Sequence, residues 1–268
     1  MDRAQTPLID WMMPADEYHA LAALGSSDVK AILRSPAHFK ARANADDEPT
    51  EAQEIGTALH MAVFEPARFA SEVVASPTFD RRTKAGKADA EAFEAAHAGK
   101  LILSASNHLI VQHASASVRA HRGAAALLAA GQPEVTFQWT DTASGAPCKA
   151  RVDWLRPDGV LVDLKSTRDA SPAGFVREIV RFGYHLQAAH YMAGARAVLR
   201  EPPQAFVLIA VEKEPPFACG VYVLDDDARI RAAERVAAAL SRWAECTAAG
   251  SWPAYSDLIE PITLPAWA

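Results

Sequence analysis

Apolar and polar positions follow two different periods along this chain, and the change falls near residue 131. Upstream, apolar side chains recur every three to four residues. Ile55, Leu59 and Val63 stand at i, i+4 and i+8 and predict a helix from about Glu51 to Glu65, with Gly56 and His60 sharing another of its faces. Ser26-Ser27 is placed to N-cap a helix from Asp28 to Leu33, which Ser35-Pro36 stops. Two more helical stretches are expected over 88–98 and 105–130, the second closed by Gly131-Gln132-Pro133. Downstream the period becomes two. Glu134 to Trp139 reads as a strand, Asp141 to Gly145 as a turn and Ala146 to Leu155 as the returning strand of a hairpin. After the turn Pro157-Asp158-Gly159, a third strand starts at Val160 and is apolar enough to be central. Helices follow over 172–181 and 185–199, then strands over 205–211 and 218–224. A long helix over 226–249 closes the series, with Ile230, Ala233, Val236, Ala237 and Leu240 expected inward.

This order predicts an α/β (α+β) fold in which a central mixed sheet is flanked by helices, as one domain over 1–268. Its helical N-terminal part spans 1–130, its core 131–225, and a C-terminal helix and tail 226–268. Polar runs at 45–49 and 77–87 read as solvated loops. Half of the 268 residues are hydrophobic, which excludes a disordered chain. The net charge, 27 − 33 = −6, disfavours a polyphosphate partner unless the bases are segregated. They are in one window, where Arg81, Arg82, Lys84 and Lys87 face the single acid Asp80. No run approaches the roughly 20 apolar residues needed to span a bilayer, and acids near the start exclude a signal peptide, so a cytoplasmic protein without membrane contact is expected. Three cysteines without CxxC spacing cannot build a four-thiolate site.

Candidate chemistry concentrates at the strand ends. Side chains alternate along a strand, so Asp163 and Lys165 share a face and Leu164 points into the opposite layer. If the two strands are neighbours, the short turn brings Asp153 opposite Asp163. Two carboxylates and an ammonium at a sheet edge suit a hard divalent cation and metal-dependent phosphodiester hydrolysis. Lys165 would either orient the attacking water or deprotonate it. Glu134, opening the hairpin, offers a further carboxylate, and Gly56 leaves room beside His60 for a backbone or a substrate strand. Gln187 and Tyr191 share one face of the helix that follows, at i and i+4.

Taken in order, Gly56…His60, Asp153, Asp163-Leu164-Lys165 and Gln187…Tyr191 resemble the PD-(D/E)XK nuclease superfamily in its RecB-type branch, whose pattern is GxxxH, an acid, (D/E)xK and QxxxY. Val152 stands where the superfamily name has Pro. Segments such as SSDVKAILRSPAHF, EIGTALHMAVFEP, VDLKST and the closing WPAY…LPAWA are similar to nuclease domains of the exodeoxyribonuclease VIII (RecE) type and their phage relatives. The resemblance implies a restriction-endonuclease-like core and Mg²⁺-dependent degradation of linear double-stranded DNA from its ends, 5′ to 3′, with Mn²⁺ able to substitute. It implies His60, Asp153, Asp163 and the Leu164 carbonyl as metal ligands and Lys165 as the catalytic lysine, with Glu134 also in the catalytic set. Gln187 and Tyr191 would contact DNA and shape the site, and Arg81, Arg82, Lys84, Lys87, Lys149 and Arg151 would meet phosphates. A homo-oligomeric ring and a single-strand annealing partner are implied as well. A structure-selective or single-strand endonuclease and a non-cleaving DNA-end-binding recombination protein stay open as alternatives.

Overall fold

The computed structural model describes residues 7–42 and 49–264, so most of the 45–49 run and the end of the LPAWA segment lie outside the described residues. The chain opens with β1 (Leu8–Asp10), α1 (Ala15–Ala20), α2 (Ser26–Arg34) and α3 (Pro36–Arg42). The cap of α2 is Gly25, not a serine: the Asp28 carboxylate accepts the Gly25 N–H at 2.9 Å, which draws Ser26 and Ser27 into the first turn. Ser35-Pro36 ends α2 as expected but also starts α3, because Pro fits a first helical turn, where the N–H it lacks has no intrahelical partner. Thr50 and Gln53 form a capping box at the head of α4 (Glu51–Phe64).

Next come α5 (Pro66–Glu72), β2 (Val73–Ser76), α6 (Lys84–Ala96), β3 (Leu101–Ser104), α7 (Ala105–Ala120) and α8 (Arg122–Leu128). The sequence missed the small parallel pair β2–β3, whose four-residue strands are too short to show alternation. The long helix expected over 105–130 divides at His121, whose ring caps α8 by accepting the Ala124 N–H. The polar loop ends early: Thr83 caps α6, so Lys84 and Lys87 lie in its first turn.

The remaining elements are β4 (Gln132–Thr140), β5 (Pro147–Leu155), β6 (Val160–Thr167), α9 (Pro172–Phe182), α10 (Tyr184–Val198), β7 (Ala205–Glu212), β8 (Cys219–Val223) and α11 (Asp226–Ala249). They complete a six-stranded mixed sheet ordered β1-β4-β5-β6-β7-β8, antiparallel except for the β6–β7 pair. The expected mixed sheet flanked by helices is therefore present.

Alternation along the central strands divides the core between two faces. Leu161, Leu208 and Ala210 pack with α2, α10 and α11; Val162, Leu164, Ile209 and Val211 pack with α4 and α7. The inward stripe of α11 differs from expectation, running through Ala232, Val236, Ala239 and Leu240 while Ile230 is exposed. In so alanine-rich a helix almost any phase looks amphipathic, and contact with α10 and α2 selects one.

His190 ties the N-terminal segment to the sheet. It is fully buried, and its Nε2–H reaches the Leu24 and Lys149 carbonyls, each at 3.1 Å. Burial pushes its pKa down to about 4, although the two carbonyls and the more distant Asp28 and Asp141 pull the other way. Protonation therefore favours the unfolded chain between pH 6.5 and 4, and stability from this group is lost as pH falls through that window. The stability difference between wild type and His190→Gln, in which all other titrations cancel, should narrow by about 2 kcal/mol from pH 7 to pH 5. Urea unfolding at both pH values measures it; a constant difference would show that His190 accepts a proton inside the fold.

Candidate active site

The site forms where the sheet opens between β5 and β6. Only two pairs, Trp154–Val162 and Leu155–Leu161, hold these strands in register, and Asp153 and Asp163 are the next facing positions. Beyond them the ladder gives way to a side chain: the Asp153 Oδ2 accepts the Leu164 N–H at 2.9 Å. On the other side of β5, the β4 pairing skips Glu134 and Asp153. Glu134 has φ of 55°, the left-handed region that side chains rarely occupy, at a cost on the order of 1–3 kcal/mol. Such strain in mid-strand, beside Asp153, makes Glu134 a candidate functional position.

His60 reaches this gap from α4. Its Nε2 lies 2.9 Å from the Leu164 carbonyl and its Nδ1 3.4 Å from the Asp153 Oδ2. With the proton on Nε2, which the carbonyl requires, the Nδ1 lone pair faces a carboxylate. A cation shared between them would satisfy both. His60, Glu134 and Asp153 each offer a ligand atom within 4.8 Å of the others, and this mixed nitrogen and oxygen set fits a divalent cation. Burial pushes the Asp153 carboxyl up to about 7, with the Asp163 and Glu134 charges adding to the rise against the opposing pull of His60 and Lys165.

Asp163 occupies a separate position. It is buried, and its Oδ1 accepts a 2.7 Å hydrogen bond from the Gln187 Nε2. Its Oδ2 lies 2.6 Å from the Lys165 Nζ as an ion pair but receives no well-directed hydrogen bond, which leaves a buried oxygen with accepting capacity. The Lys165 ammonium also sits 4.8 Å over the Tyr184 ring. Burial pulls its pKa down, but Asp163 and then Asp153 outweigh this and raise it, so the two carboxylates favour the ammonium form.

The structure thus brings together His60, Glu134, Asp153, Asp163, Lys165 and the Leu164 carbonyl. It places other expected residues differently. Gln187 and Tyr191 are buried and act within the frame of the site, Tyr191 edge-on to Phe206, so neither offers a surface to DNA. The Lys149 ammonium donates to the Tyr18, His19 and Leu21 carbonyls at 2.9, 3.2 and 2.9 Å, which uses all three of its donors. Arg151 pairs with Glu134, bonds the Met13 carbonyl at 3.1 Å and lies over the Tyr18 ring. Both are internal fasteners, not phosphate contacts. Arg81 pairs with Glu94 and Arg82 with Asp80, while Lys84 and Lys87 are exposed with no ion pair among the described residues. Around Gly56 an added Cβ would meet nothing, so the space beside His60 is open. Sequence reasoning missed Tyr184, because an aromatic residue opening a helix carries no signal of what lies above it.

Comparison with known proteins agrees with this fold. A family described as "PDDEXK-like domain of unknown function (DUF3799)" matches residues 25–265. A crystal structure of a candidate exonuclease from Eubacterium rectale superposes with a TM-score of 0.65 at 16% identity, covering 94% of this chain and 96% of its own. A phage related exonuclease from Haemophilus somnus 129PT, at 14% identity over 85% and 96% of the two chains, has a TM-score of 0.35. No curated protein matches the sequence significantly.

Proposed function

The chain belongs to the PDDEXK-like family of metal-dependent nucleases, and from that premise we propose that it is a Mg²⁺-dependent exodeoxyribonuclease acting on the ends of linear double-stranded DNA. The observation that carries the reading is the gap between β5 and β6, where a three-residue cation site adjoins a buried carboxylate–ammonium pair. The name of the Eubacterium rectale structure supports exonuclease action over cutting within a strand, and the resemblance to RecE-type domains suggests 5′ to 3′ polarity. Among the described residues no helix is long and apolar enough to cross a membrane.

His60, Glu134 and Asp153 would hold the cation, with Asp163 and the Leu164 carbonyl as the further ligands the resemblance implies. When bound, Mg²⁺ supplies Lewis acidity that activates water and neutralises phosphate charge, and Mn²⁺ can substitute. The protein's own part is positional. Leu164 N–H fixes the Asp153 carboxylate, Gln187 fixes Asp163, and Asp163 fixes the Lys165 ammonium, whose remaining hydrogens point a water or a phosphate oxygen. Arg151 holds one oxygen of Glu134, which leaves the other for the site. Lys84 and Lys87 are retained as phosphate contacts on the outer surface. A ring of identical subunits and a single-strand annealing partner complete the proposal; light scattering after gel filtration tests the first.

The experiment is a time course on linear duplex labelled at either end, beside a covalently closed circle, with Mg²⁺, Mn²⁺ or EDTA. Metal-dependent loss of the 5′ label first, with the circle intact, is the expected result. Cutting of the circle would establish an endonuclease, and tight binding of ends without cleavage in either metal a recombination scaffold.

A further inference from the structure

The sequence points to the 81–87 loop for DNA contact, yet a second basic surface lies next to the site. Lys30, Arg34, His38 and Arg42 recur every fourth residue across α2 and α3 and, with Ser27 and Ala31, line a groove of about 350 Å³ that contains no carboxylate. Lys30 and Arg34, at i and i+4 of α2, repel by a few tenths of a kcal/mol, which an anion lying along the groove would relieve. Arg34 is exposed and makes no hydrogen bond or ion pair among the described residues. Arg42 is anchored by the Ser27 carbonyl at 2.6 Å, with Asp28 3.8 Å away at the groove's edge, and its side chain is still half exposed.

The groove leads to the active site. The Lys30 Nζ donates to the Phe182 carbonyl at 3.1 Å, which leaves two of its hydrogens free. Its stem crosses Gly183, where a Cβ would come within 2.8 Å of the Lys30 Cδ. The next residue is Tyr184, whose ring lies under the Lys165 ammonium. Burial and repulsion from Lys165 both lower the Lys30 pKa, as expected for two ammonium groups near one another. Lys30 therefore links the basic side chains of the α2–α3 groove to Lys165 and Tyr184 at the site.

We propose that the α2–α3 groove carries the phosphate backbone of the DNA strand entering the site, with Lys30 and Arg34 as its principal contacts. This rests on the nuclease reading and names where its polyanionic substrate lies. Neutralising these residues should weaken binding for every sequence, because phosphate contacts carry no base information.

The test compares wild type, Arg34→Ala, Arg34→Lys and Lys30→Ala with Arg34→Ala, by fluorescence anisotropy on a labelled 30-base-pair duplex in Ca²⁺ from low to physiological salt. Steady-state hydrolysis of the same duplex in Mg²⁺ accompanies it. Arg34→Ala should raise Kd and KM about tenfold and lower the slope of log K against log salt by about one, and the double variant by about two, while Arg34→Lys recovers most of both. The loss should appear in KM far more than in kcat at saturating DNA. A wild type that hydrolyses the duplex while Arg34→Ala and the double variant keep its KM and salt slope overturns the groove alone. A wild type inert toward linear DNA in both metals overturns the nuclease reading and the groove with it.

Discussion

Lys165→Met is expected to lower Mg²⁺-dependent hydrolysis of linear duplex DNA by at least about 10²- to 10³-fold, the usual loss when one preorganised charge is removed from a reacting centre. Methionine keeps most of the stem's volume but not the ammonium 2.6 Å from the Asp163 Oδ2. The same change leaves a buried carboxylate without its cation, which costs about 3–5 kcal/mol when one member of a buried pair is lost. The activity loss therefore needs separating from a folding defect. Asp163→Asn with Lys165→Met removes both charges, and the amide can still meet Gln187. This double variant should regain most of the stability in urea unfolding while its activity stays at the level of Lys165→Met. Wild-type hydrolysis by Lys165→Met would show that the ammonium serves the fold only. Recovery of both properties in the double variant would remove Asp163 from the reaction as well.

Lys149→Met should lower stability by about 2–3 kcal/mol without changing the salt dependence of DNA binding. Three carbonyls, those of Tyr18, His19 and Leu21, converge on its ammonium, and in the variant they lose a charged donor in a place water reaches poorly. The consequence extends beyond that corner of the fold. The same segment supplies the Met13 carbonyl and the Tyr18 ring that hold Arg151, and Arg151 holds Glu134. A decrease of the melting midpoint by about 6 °C is expected for a chain of this size. Glu134 would lose its fixed orientation, so activity should fall several-fold even where the variant remains folded. An unaltered midpoint together with a salt slope reduced by about one would instead identify Lys149 as a phosphate contact.

These two lysines show how far composition could carry the argument. Both follow or precede strand acids and both look like cations available to a substrate. What separates them is what lies opposite: a carboxylate and a ring for Lys165, three carbonyls from a segment some 130 positions away for Lys149. The same holds for Gln187 and Tyr191, whose shared face is legible from their spacing but whose burial against Asp163 and Phe206 is not.

The central strands, the hairpin, α4, α9, α10 and α11 could be read from the chain because their apolar period is local and their ends carry Pro, Gly or a capping side chain. The order GxxxH, Asp, DxK and QxxxY was equally legible, since it is a pattern of residue types along one dimension. Tertiary structure alone decided the rest. It set Glu134 into a left-handed conformation beside Asp153 and assigned Asp163 to Lys165 and Gln187 while His60 turned to Asp153. It also aligned the bases of α2 and α3 into one groove leading to the site. The physical reason is that charge interactions depend on distance and burial, and residues far apart in sequence reach 3 Å only after the two faces of the sheet have packed.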